Sequence, residues 1–182
     1  MIAIIGTSRA RRVSLALAVT LAFAALTPVA PAGAQGIQRL GEYEDWNAYQ
    51  FTEKDKPACY MASAPKKAEG NYTKRGDVFA IVTHRPAEGR RDEVSVIAGY
   101  TYKKDSWVEV QIGDKKFRLF TQDDNAWAPD KEADKALVAA MIKGQEMTIT
   151  GTSARGTQTV DTYSLAGFSK AYQAINDACP PQ

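Results

Sequence analysis

Two hydrophobic spacings alternate along this chain, and each change of spacing marks a new element. A period of two, the mark of a half-buried strand, runs through DWNAYQF (45–51), with Trp46 and Ala48 on one face and Tyr49 and Phe51 on the other. PACYMAS (57–63) reads as a short strand carrying Cys59. GDVFAIVTH (76–84) is apolar on both faces, which predicts a central strand covered on both sides. EVSVIAGY (93–100) aligns Val94, Val96, Ala98 and Tyr100, and Pro86 and Gly89 break the chain between these two strands. A hairpin follows. Val108, Val110 and Ile112 alternate with Glu109 and Gln111, the chain turns at Gly113-Asp114-Lys115, and it returns through Phe117, Leu119 and Thr121. A second ribbon sets Thr148, Thr150 and Thr152 on one face, turns near Ala154-Arg155-Gly156, and returns with Thr157, Thr159, Asp161 and Tyr163 alternating.

The spacing becomes helical twice. DKEADKALVAAMIKG starts at a cap, Asp130 or Asp134, carries Leu137, Val138, Met141 and Ile142, and ends at Gly144. GFSKAYQAINDAC lines up Phe168, Tyr172, Ile175 and Cys179 as one stripe. About eight short strands and two helices predict a mainly β fold: an antiparallel β-sandwich or barrel-like sheet with two short helices packed at its edge.

The first 34 residues do not fit that pattern. Arg9, Arg11 and Arg12 precede an uncharged apolar run of 14 residues, Val13 to Leu26, and Ala32-Gly33-Ala34 has the small-x-small form a signal peptidase reads. These features predict a signal peptide over 1–34, removed on export. The run is short of the ~20 residues a membrane-spanning helix needs, and Arg11-Arg12 also fits a twin-arginine leader. No later stretch is long and apolar enough to cross a membrane as a helix. The mature chain is therefore expected to be one domain over 35–182, soluble, in the periplasm or secreted.

Export changes both the charge and the sulfur chemistry. Three of the 23 basic residues and none of the 21 acids lie in the leader, leaving 20 against 21. A nucleic-acid binder would carry a strong positive excess, so that class is excluded. In an oxidising compartment, Cys59 and Cys179 most simply form one disulfide. A pair of free or redox-active thiols is the alternative, and the sequence holds no C-x-x-C for it. Cys179 also falls on the apolar stripe of its helix, which favours the disulfide. Closing so long a loop stabilises by up to ~4–5 kcal/mol in the chain-entropy model.

Candidate chemistry is sparse. His84 is the one histidine, and no G-x-S-x-G accompanies it. The acidic pairs Asp92-Glu93 and Asp123-Asp124 fall at predicted loop edges, where solvated carboxylates are expected rather than a glycosidase couple. DDNAWAPDKEAD lacks the glycine-centred spacing of a calcium loop, and one histidine with two distant cysteines makes no zinc site. No catalytic residue, metal or cofactor is assigned. Basic pairs recur at Lys66-Lys67, Lys74-Arg75, Arg90-Arg91, Lys103-Lys104 and Lys115-Lys116, all in predicted turns or loops. They serve solubility, or, if the loops converge, an anionic partner such as lipopolysaccharide or a host cell surface. The candidate partner contacts are Arg90 and Arg91 with Arg155, Thr157 and Thr159 of the second ribbon. A periplasmic hydrolase using His84 and Asp161 is the competing reading.

Several stretches together resemble the invasion-associated locus B family: DWNAYQF before PACYMAS, VTHRP followed by EVSVIAGY, FRLFTQDDNAWAPD, and above all GTSARGTQTVDTYSLAGFSKA. The resemblance covers nearly the whole mature domain. It implies a small secreted β-rich envelope protein with no established enzymatic activity, associated in some pathogenic members with entry into host cells, including erythrocytes. Cys59 and Cys179 match the positions of the family's two cysteines. The family carries no settled catalytic motif, so it supplies no catalytic residue.

Overall fold

The computed structural model describes residues 36–181; the leader expected over 1–34 lies outside them. Eleven strands among the described residues form one sheet. They are β1 (Gln38–Tyr43), β2 (Trp46–Glu53), β3 (Lys56–Ser63), β4 (Lys67–Gly70), β5 (Phe79–Arg85), β6 (Arg90–Ile97), β7 (Trp107–Ile112), β8 (Lys115–Gln122), β9 (Asn125–Trp127), β10 (Glu146–Thr152) and β11 (Gln158–Ser164). The spatial order is β1-β2-β3-β5-β6-β9-β8-β7-β10-β11-β4, and every neighbouring pair is antiparallel. Among the described residues two α-helices, α1 (Lys131–Lys143) and α2 (Phe168–Ala178), complete the fold.

Topology forces the sheet to curl. β3 is third in the order and β4 is last, yet only residues 64–66 join them. Four Cα–Cα steps reach at most ~14 Å, so the far edge must come round to β3. The contacts agree. The Lys66 amide donates to the Thr162 carbonyl at 2.7 Å, and the indole N–H of Trp46 on β2 donates to the Ser164 carbonyl at 3.0 Å. The result is barrel-like, with the core on the enclosed face. Trp46, Met61, Val82, Val96, Val108 and Ile149 all lie there, each 2 % exposed or less.

The helices close over that core. α2 packs on β1, β2 and β3, with Phe168 meeting Trp46 edge-on at 4.9 Å. α1 packs on β6 and β8 through Leu137, Val138 and Met141. Asp130 is its cap, accepting from the Ala133 amide at 2.8 Å, which decides between the two capping residues the sequence offered. Ile142, expected in the buried stripe, is 41 % exposed in the last turn. β5 also differs from expectation: its inner face is buried, but no helix covers the outer one, where Phe79 is 36 % exposed and Ile81 half-buried. The basic pairs are not all in loops either, since Arg90-Arg91 open β6 and Lys115-Lys116 open β8.

Candidate functional site

Two clusters of buried polar side chains stand out among the described residues, and they differ in whether they open to solvent. The first surrounds the disulfide. Cys59 on β3 and Cys179 at the end of α2 are bonded, with Cα atoms 6.0 Å apart. Directly opposite Cys59 in the β3–β5 register stands His84, fully buried. Its Nδ1 accepts from the Asp92 amide at 3.1 Å, so Nε2 carries the proton and donates to Asn176 Oδ1 at 3.2 Å. Burial first, then the charge of Arg91, pushes His84 below its ordinary pKa and keeps it neutral. Arg91 donates to the Asn176 side chain and, at 2.7 Å, to the Cys179 carbonyl at the helix C-terminus, where a cation is favoured. The Tyr172 hydroxyl donates to Asp92 at 2.7 Å. Both ring nitrogens of His84 are therefore spent inside the protein.

The second group floors a cleft. Arg75, in the segment between β4 and β5, forks onto both oxygens of Asp161 at 2.6 Å and donates Nε–H to the Ala98 carbonyl at 2.7 Å. Both side chains are almost wholly buried, at 5 % and 3 % exposure. Burial opposes the Arg75 charge, and bonding to Asp161 more than offsets it, so its pKa stands above the ordinary guanidinium value. The guanidinium also lies 5.5 Å from the Tyr72 ring centre and 5.0 Å from that of Tyr100. The Tyr100 hydroxyl bonds Thr159 Oγ1 at 2.7 Å.

Three glycines make this arrangement possible. The Gly76 amide donates to the Gly99 carbonyl at 2.9 Å, and a Cβ on Gly99 (φ +69°) would fall 2.4 Å from the Gly76 oxygen. A Cβ on Gly151 would sit 2.8 Å from the Tyr102 ring and 3.0 Å from the Tyr100 hydroxyl. The opposite wall is the β10–β11 turn. Its Ser153 and Thr157 bond each other, and the Ala154 amide is tied to the Thr101 carbonyl at 2.8 Å. The open cleft has a volume of ≈ 610 Å³, within the ~300–1,000 Å³ usual for small-molecule sites. No carboxylate lines it, while Lys74 and Arg155 do, and among the described residues neither makes an ion pair. Beyond the Gly76–Gly99 crossing the charge changes sign: Asp77, Asp123 and Asp124 line a separate depression of ≈ 420 Å³.

The residues singled out by sequence fall into both regions. Arg155, Thr157 and Thr159 line the cleft. Thr159 is buried, so the inward face of β11 is Thr159, Asp161 and Tyr163 rather than an exposed threonine face. Arg91 braces α2, and Arg90 pairs with Glu88 and Glu93 at the surface. Of the acidic pairs, Glu93 also takes Arg85 at 2.7 Å and Asp92 takes Tyr172. The sequence pattern does not single out Tyr72 or Tyr100, and Arg75 stands in it only as half of a loop basic pair.

One further acid is buried. Asp134 of α1 accepts from the Val94 amide at 2.8 Å, and burial, with Glu93 and Asp92 nearby, pushes its pKa up to about 6. Among the described residues no cluster of three or more potential ligands could hold a metal ion, and no helix is long and apolar enough to cross a membrane.

Comparison with known proteins supplies the relationship. No curated protein matches the chain. The crystal structure of invasion associated protein B from Bartonella henselae superposes with a TM-score of 0.52 at 21 % identity, over 75 % of this chain and 94 % of that one, which shows a shared fold. The family model for the invasion associated locus B (IalB) protein matches residues 46–176, from the core tryptophan of β2 to the asparagine that receives His84, and the chain belongs to that family.

Proposed function

We propose that this chain is a non-catalytic binding module, exported to the periplasm or released, whose recognition site is the Tyr72–Tyr100–Arg155 cleft. The observation that carries this reading is the division of labour between the two polar groups. A hydrolase needs a base within reach of substrate. The single histidine is fully buried and both its ring nitrogens are bonded. Asp161, the acid the competing hydrolase would use, gives both oxygens to Arg75. The cleft that does open is walled by hydroxyls, tyrosine rings and two unpaired cations, groups suited to holding a ligand. Family membership supports an envelope or secreted location, and the family's description associates it with invasion.

The test compares the mature protein with Ala154→Trp, a change at an exposed position that fills the cleft mouth. Each is immobilised and exposed to fractionated envelope and host-membrane material. The wild type is expected to retain a component that the variant does not, and neither should hydrolyse ester, glycoside or phosphoester probes. Equal retention by the two proteins, or turnover that disappears with His84→Gln, would overturn the reading.

A further inference from the structure

The cleft's lining narrows the ligand. It offers hydroxyls and an amide with no protein partner among the described residues, at Asn71, Thr73, Thr101 and Thr157. A hydroxyl both donates and accepts, so these groups match a ligand that is itself rich in hydroxyls; a bare anion would need donors only. The rings of Tyr72 and Tyr100 add an apolar wall. What the lining lacks is as informative. With no carboxylate present, strong acceptors for a neutral polyol are missing, and the two unpaired cations Lys74 and Arg155 leave the cleft net positive, because Arg75 is already neutralised by Asp161. Charge-assisted bonds to an acidic group are the strong contacts available.

From this we infer that the cleft takes an anionic sugar, a carboxylated or phosphorylated ring as found in envelope and cell-surface polysaccharides. Its acidic group lies toward Lys74 and Arg155, away from Asp77, Asp123 and Asp124 across the glycine crossing. Its hydroxylated ring meets the threonines, and its C–H face meets tyrosine. This rests on the binding-module reading and names the ligand class for the same site.

The experiment titrates galacturonate, glucose 6-phosphate, glucose and inorganic phosphate into the mature protein, with binding read by amide chemical shifts around Thr101 and Thr157. Both acidic sugars are expected to bind about tenfold or more tightly than glucose, the scale of one charge-assisted bond, and more tightly than phosphate. Lys74→Ala with Arg155→Ala, both exposed and unpaired, should remove that preference and leave the fold intact. Thr157→Val tests the hydroxyl contact and should weaken the sugars without weakening phosphate. Glucose binding as well as galacturonate, or phosphate binding as well as glucose 6-phosphate, overturns the inference. If no probe binds while Ala154→Trp still abolishes retention of envelope material, the sugar class is wrong and the binding module stands; if retention also survives that variant, both fall.

Discussion

The disulfide corner and the tyrosine cleft are both built from buried polar side chains, and they teach opposite lessons. At the corner, His84, Asn176, Arg91 and Asp92 bond one another and the helix end, and the histidine is fully buried. In the cleft, one ion pair is equally spent, but it is a floor under groups that remain unpaired. A buried charged or polar residue therefore marks function here only where unsatisfied neighbours open onto space. The same two residue types, an arginine and an aspartate, stand in both places.

The sharpest way to break that comparison is to cut the corner's covalent bond. Cys59→Ala with Cys179→Ala, or reduction, should lower stability by up to ~4–5 kcal/mol, read from urea midpoints. The cleft lies elsewhere on the sheet, so its amide shifts should stay in place in whatever fraction remains folded. Loss of cleft binding without loss of folding would mean that the two regions are coupled.

Asp161→Asn comes next. It leaves the Arg75 charge buried without its partner, which should cost at least ~3 kcal/mol. Arg75→Met with Asp161→Leu should recover most of that loss, because the charge and its desolvation go together. If the double variant is no more stable than the single one, the pair does more than neutralise itself.

Much of the scaffold was legible in the sequence, and the reason is periodicity. The strands carrying Trp46, Val96, Val108 and Ile149 alternate over several residues, the one carrying Val82 shows as a short apolar run bounded by Gly76 and Pro86, and both helices announce themselves by a stripe, α1 by a cap as well. The strands that escaped notice have no such signal. β1 is QRLGEY with no buried residue, β4 is four exposed residues, KAEG, and β9 is three; they exist because neighbouring strands leave backbone groups to pair. The outer face of β5 departs from its pattern for a related reason. An apolar pattern reports preference, and nothing in it says whether a covering element exists. Half of the cleft was visible, at Arg155, Thr157 and Thr159. Tyr72, Arg75 and Tyr100 were not, because the Gly76–Gly99 crossing that assembles them is a contact between two irregular segments.

Asp134 is an intermediate case, a buried acid with a single backbone donor. Its folded pKa of about 6 lies above the ordinary 3.8. The folded state therefore binds the proton more readily, the penalty is fully present above pH 6, and stability rises as pH falls from 6 toward 3.8. His84 works against this, because its folded pKa is depressed: its contribution is present above pH 6.5 and is lost as pH falls below that. Asp134→Asn should gain ~1 kcal/mol at pH 7.5 and abolish the acid-side rise. The fall due to His84 should then be seen alone in the pH dependence of the urea midpoint.

The smallest stability effects separate the regions most cleanly. Arg90 and Arg155 are both exposed arginines, and truncating either to alanine should move stability by no more than ~0.5 kcal/mol. Their surroundings differ. Arg90 stands between Glu88 and Glu93, so its charge is already answered within the protein. Arg155 answers to nothing among the described residues and faces the cleft. Arg90→Ala should leave retention of envelope material unchanged at low and high salt, whereas Arg155→Ala should weaken it most at low salt, where an exposed cation is least screened. Equal effects of the two would mean that diffuse basicity, rather than the cleft, attracts the partner.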